Sequence, residues 1–97
     1  MQSKIKKTIN EAKTNFLNML ENNINKLVIV QVDRGSIQFN LEMKIIKIDY
    51  LENIIVLFHN KGDLTLGFDE DIKIKQYEGN AFELLYPNKD CITFDFI

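Results

Sequence analysis

At 97 residues, with seven Phe, three Tyr and 45% apolar residues, the chain is sized for one domain whose core needs no disulfide. Its net charge of −2 is uneven: residues 1–26 carry five lysines against two glutamates (+3), residues 27–97 seven cations against twelve carboxylates (−5). The acidic remainder argues against the concentrated basic face of a duplex- or RNA-binding surface, and no apolar run approaches the ~20 residues of a membrane span.

The N-terminus has no signal-peptide h-region. Cys91 is the single cysteine and has no internal partner, so the cytoplasm is the expected compartment.

From Ser3 to Asn22 the residues Ile5, Ile9, Ala12, Phe16, Leu17 and Leu20, followed by Ile24, recur at helical spacing. Ser3 is placed to cap the start, and Asn22-Asn23 to close the end. Lys6, Lys7, Asn10, Lys13, Thr14, Asn18 and Glu21 fill the opposite face. The spacing predicts an amphipathic helix whose stripe packs on the rest of the chain. A membrane-surface helix is the rival, but the polar face mixes Glu and Asn with Lys and no Trp marks an interface.

After Lys26 the apolar period changes to two. Residues 27–32, 37–48, 54–59, 64–68, 72–77, 82–86 and 91–97 read as strands, separated by the turn-forming stretches DRGS, DYLEN, NKGD, FDED, YEGN and PNKD. Such short links join antiparallel neighbours, which predicts a meander. In the second strand Ile37, Phe39, Leu41, Met43 and Ile45 alternate, and then Ile46 and Ile48 take the opposite phase. A one-residue slip swaps the faces of a strand, so this strand must bulge or bend. A similar break falls around Gly67, between Leu64-x-Leu66-x-Phe68 and Ile72-x-Ile74. Two long strands, each bent midway, predict a sheet curled into a small barrel. The expected fold is therefore α+β in a single domain: a helix at 3–22, a strongly bent antiparallel small barrel at 27–86, and a strand extension at 87–97.

Two local patterns lie on this layout: Asp49-Tyr50-Leu51-Glu52-Asn53 between the second and third strands, and Gly79-Asn80 within QYEGNAFELLYP. In order and spacing the chain resembles the Sm-like family over about residues 3–86. The family carries an Asp, three residues and an Asn at the first place, and an Arg-Gly-Asn-like turn at the second. The resemblance implies a ring of subunits, joined through the family's fourth and fifth strands, that holds single-stranded RNA bases. It makes Asp49, Tyr50, Asn53, Gly79 and Asn80 candidate RNA contacts. The chain departs from the pattern at the stacking position, which is Leu51, and at the usual Met and Arg, which are Glu52 and Glu78. Leu has no π-face, and Arg to Glu reverses the charge that attracts a phosphate. Tyr50 could stack, but it sits one position off and is expected on the other side of the strand. Turn chemistry alone accounts for Asp49 and Asn53, whose side chains bond nearby backbone.

Other chemistry finds little support. Asp63, Asp69, Glu70 and Asp71 fail the calcium-loop spacing and read as a solvated hairpin turn, with Asp69, Glu70 and Asp71 a candidate contact patch for a basic partner. His59 and the distant Cys91 are too few for a zinc site. His59 is expected partly exposed at a strand end, and Cys91 inert and half-buried. With no phosphate loop, nucleophile elbow or metal-ligand motif, no cofactor is expected and an enzyme is not. At the C-terminus Ile92, Phe94 and Phe96 alternate with Thr93 and Asp95. This strand either closes the sheet internally or lies at an edge, where Phe94 and Phe96 would meet a partner or a second copy. The expected function is a non-catalytic binding module acting through an acidic surface and a strand edge, as an assembly factor or inhibitor. An oligomeric Sm-like RNA-binding protein is the alternative.

Overall fold

The computed structural model describes residues 2–78 and 80–97, with side chains from Glu11 onward. Helix α1 (Gln2–Asn22) precedes seven strands: β1 (Leu27–Arg34), β2 (Ile37–Leu51), β3 (Ile54–His59), β4 (Gly62–Gly67), β5 (Lys73–Tyr77), β6 (Ala81–Leu85) and β7 (Cys91–Phe96). The side chains of Ser3, Ile5, Lys6, Lys7, Ile9 and Asn10 lie outside the described residues, as does Gly79. From Ala12 on the helical stripe points inward, with Phe16 and Leu20 fully buried. The helix ends as Asn23 Nδ2 donates to the Met19 carbonyl at 2.7 Å, and Asn25 takes a left-handed φ of 69°.

All pairings are antiparallel, in the order β4-β3-β2-β1-β7-β6-β5. The single meander expected from the short links is thus two meanders, β1–β4 and β5–β7, joined where β7 pairs with β1. The exception is the link at residues 68–72, which runs from one end of the strand order to the other. A segment that short spans at most about 20 Å, so the sheet is curled enough to bring its ends close. It is not closed into a barrel, contrary to the expectation from the bent strands: β4 pairs with β3 alone and β5 with β6 alone. The physical reason is the helix. It lies along β5, where Asn15 Nδ2 donates to Gln76 Oε1 at 2.9 Å. Its Phe16 stacks on Phe68 of the link at 6.1 Å. No ladder spans the gap between β4 and β5. One further tie crosses it, the Tyr86 hydroxyl donating to the Gly67 carbonyl at 3.1 Å.

The break in alternation along β2 is a β-bulge. Ile45 faces His59 and Lys47 faces Phe58, leaving Ile46 as the extra, exposed residue. Met43 and Ile45 reach the core before it, and Ile48 packs against the core after it.

The core lies in the concavity of the sheet. Val28, Val30 and Val32 of β1, with Phe94 and Phe96 of β7, meet Phe82 and Leu84 of β6 and Phe16 of α1. Phe16 sits 5.0 Å from the Phe94 ring, 5.6 Å from Phe82 and 6.3 Å from Phe96. Such aromatic pairs add ~0.5–1.5 kcal/mol each beyond the area they bury. Phe16→Ala is expected to cost about 3–5 kcal/mol, read as a fall in the urea midpoint or outright loss of the fold. Phe16→Leu should keep most of that stability.

Candidate functional site

The Asp49–Asn53 turn is built as turn chemistry dictates. Leu51 pairs with Ile54, leaving Glu52 and Asn53 as the loop, and Asn53 adopts a left-handed φ of 62°. Asn is among the few non-glycine residues that tolerate this region. The Asn53 carbonyl accepts from Phe68 N at 2.8 Å, tying the turn to the β4–β5 link. Asp49 faces Lys47 Nζ at 3.6 Å, a surface ion pair. The Tyr50 ring is exposed beside the turn, and its hydroxyl donates to Glu21 Oε1 at 2.8 Å. Partial burial, then the bond to Glu21, push its pKa up to about 12. Asn80, in the β5–β6 turn, offers its carbonyl to Phe96 N at 3.0 Å. Among the described residues no hydrogen bond or ion pair links this turn to Asp49–Asn53.

Asp69, Glu70 and Asp71 occupy the β4–β5 link, not the hairpin turn expected of them, because no hairpin exists there. Asp69 Oδ1 accepts from Asp71 N at 2.9 Å, and the Asp69 carbonyl accepts from Lys13 Nζ at 3.3 Å. Phe94 and Phe96 are buried, and their strand β7 is paired on both sides, by β1 and β6. Of the two arrangements open to the C-terminal strand, the structure has the internal one. Both phenylalanines face the core.

His59 ends β3 as expected, but it is buried rather than partly exposed, since Ile45 lies directly opposite it and its ring turns inward. Its Nδ1 accepts from Lys61 N at 3.2 Å. Cys91 is half-buried, and its thiol donates to Glu83 Oε2 at 3.4 Å. Burial and the neighbouring carboxylate raise its pKa, which keeps the protonated, weakly nucleophilic form. Among the described residues no group of three His, Cys, Asp or Glu converges as a metal site, and no helix is long and apolar enough to cross a membrane.

The strand edges are more informative. The edge of β5 runs beside α1, and β4 is a short strand with Gly at both ends. β2 is longer than either strand it pairs with. Its residues 37–44 have β1 on one side, and residues 45–51 have β3 on the other. Opposite β3, the second half is met at its start by the α1–β1 connection, where Asn25 N donates to the Ile45 carbonyl at 2.8 Å. Opposite β1, the first half is bare. Lys44 marks its end: Lys44 N donates to Asn60 Oδ1 at 3.0 Å, and its carbonyl accepts from Asn60 N at 3.1 Å.

Successive residues of a strand turn their backbone N–H and C=O groups to alternate sides, so Gln38, Asn40 and Glu42 share the direction of Lys44 and point away from β1. No hydrogen bond among the described residues engages those backbone groups. On the core-facing side of the same stretch, Ile37 and Phe39 are 61% and 49% exposed, prolonging the row of Leu41 and Met43 beyond the core. The alternation of Ile37 to Ile45 announced this strand. Nothing in the sequence told that half of it would have one neighbour, because that depends on where β1 and β3 align.

No family model, no curated protein and no solved structure matches the chain.

Two measurements follow. Asn53→Gly should leave stability nearly unchanged while Asn53→Ala costs roughly 1–2 kcal/mol, because the position is left-handed; equal losses in urea unfolding would contradict a turn role. Tyr50 and Tyr86 both have pKa values held up to about 12 against an ordinary 10, in each case chiefly by burial. A folded pKa above the unfolded one gives stability that is complete below pH 10 and lost as pH rises through 12. Urea midpoints should fall across that window, in step with late tyrosinate absorbance near 295 nm.

Proposed function

We propose that the chain is a non-catalytic binding module that acts through protein–protein contact, taking on an extra strand along the bare edge of β2. One observation carries the reading: Gln38, Asn40 and Glu42 present unpaired backbone groups beside exposed Ile37 and Phe39. Such an edge binds extended chain through main-chain hydrogen bonds, with specificity from side chains on alternate positions. Proteins usually blunt long edges with charge, proline or a covering element. Here the first charge is Glu42, and no proline or covering segment lies on the stretch. The acidic link at Asp69–Asp71 is a weaker second contact, since part of its hydrogen-bonding capacity is spent internally.

The rival is an oligomeric Sm-like protein that binds single-stranded RNA at Asp49–Asn53. The exposed Tyr50 ring favours it, because a planar side chain beside that turn could stack on a base. Against it, the hydroxyl is tethered to a carboxylate, which repels phosphate. The family's fifth strand corresponds to β6, which is already paired on both sides.

Asn40→Pro separates the readings. Its N–H points away from β1, so proline at this edge leaves the β1–β2 ladder intact while removing a donor from the bare side. Immobilised chain should retain a protein from soluble extract that the Asn40→Pro variant does not, with the circular dichroism of the two alike. Equal retention by both would overturn the edge as the site. Salt-sensitive binding of U- or A-rich oligonucleotides, weakened by Asn53→Gly, would transfer the function to the RNA reading.

A further inference from the structure

We infer that the strand added to the bare edge of β2 is the same segment of a second copy of this chain, antiparallel about a twofold axis through Asn40. This rests on the strand-addition reading above and names the partner. The argument is the pattern IQFNLEM at residues 37–43. With Asn40 opposite Asn40, Gln38 of each copy lies opposite Glu42 of the other. All three outward-facing residues then exchange backbone hydrogen bonds, about two per opposed pair. The Gln38 carboxamide, which already donates from Nε2 to Asp33 Oδ2 at 3.3 Å, has a second N–H to offer the Glu42 carboxylate at both ends of the ladder. On the core-facing side Phe39 falls opposite Leu41, and Ile37 opposite Met43. These are the closer, non-hydrogen-bonded positions, ~4.5 Å apart at Cα. The two exposed apolar side chains of each copy are thereby covered.

Competing registers fit less well. Outward residues pair only with outward residues, so the register moves in steps of two along the sequence. One step in one direction puts Glu42 opposite Ser36, which belongs to the β1–β2 turn. One step in the other puts Gln38 opposite Lys44, whose outward groups Asn60 already occupies. A further step sets Glu42 against Glu42, and like charges directly opposite destabilise a sheet. The register centred on Asn40 alone uses every free group and keeps the carboxylates apart.

The ends agree as well. The chain leaves β2 at Gly35–Ser36 toward β1, away from the bare side, so the tip of one copy turns off where Asn60 closes the ladder of the other. Because the contact is isologous it consumes the edge in both copies, and assembly stops at two.

The test uses the full chain. Sedimentation equilibrium should give a monomer–dimer equilibrium, with amide exchange at Gln38, Asn40 and Glu42 slowing as the dimer forms. Gln38 is exposed and can be varied without touching the core. Gln38→Lys should tighten the dimer and Gln38→Glu loosen it, each by about 2- to 30-fold in Kd, because each change acts at two symmetry-related pairs. A chain that stays monomeric at millimolar concentration, or a dimer whose Kd neither substitution moves, overturns the proposal. The wider reading is judged separately. A monomer that loses a captured protein on Asn40→Pro removes only the second copy as partner, whereas a dimer indifferent to Asn40→Pro removes both the self-pairing and the edge.

Discussion

The fold depends on Phe16 entering the hollow of the sheet. A sheet of seven twisted strands this short buries one face only if something fills its curvature. Here a single helix does so, placing one aromatic ring within contact of Phe68, Phe82, Phe94 and Phe96. Those four partners come from the β4–β5 link, β6 and β7, so the ring ties the second meander to the connection that delivers it. The same ring explains why the wall stays open. Closing β4 onto β5 would displace α1 from the β5 edge it lies along, and burying aromatic surface stabilises more than a few additional ladder bonds, whose net value is about 1 kcal/mol each.

The β2 bulge is the second determinant, and its effect is felt at the surface. A strand that changes face at Ile46 also bends, and its two halves take partners on opposite sides. β1 takes the first half and β3 the second. The chain arriving from the helix meets the second half at Ile45, on the side away from β3, while the side of the first half away from β1 is left to solvent. The stagger of β1 and β3 along β2 thereby leaves residues 37–43 with an uncovered side. Asn60 sets its boundary by bonding both outward groups of Lys44.

Much of this was legible along the chain. The helical stripe, all seven strands and the site of the bulge follow from periodicity, because side-chain direction is fixed by local backbone geometry. Asn53 was readable as a turn residue for the same local reason. What misled was the inference from link length to pairing. Residues 68–72 look like every other short turn, yet they cross the mouth of a curled sheet. His59 looked partly exposed because polar strand ends usually are, yet it shares the inward face of Ile55 and Leu57 and lies opposite the buried Ile45. Phe94 and Phe96 were equally compatible with an edge and an interior strand, since alternation reports which face is apolar and not how many neighbours a strand has.

The sequence by itself determined the elements, their polarity of face and the place where one strand must break phase, because each is written in the spacing of apolar residues within a few turns or pleats. Only the tertiary structure decided that β7 enters between β1 and β6, that the barrel stays open, and that residues 37–43 are the uncovered edge. Those outcomes depend on which distant segments compete for the same hydrogen-bonding side of a strand, and that competition is settled by how the aromatic core packs around Phe16.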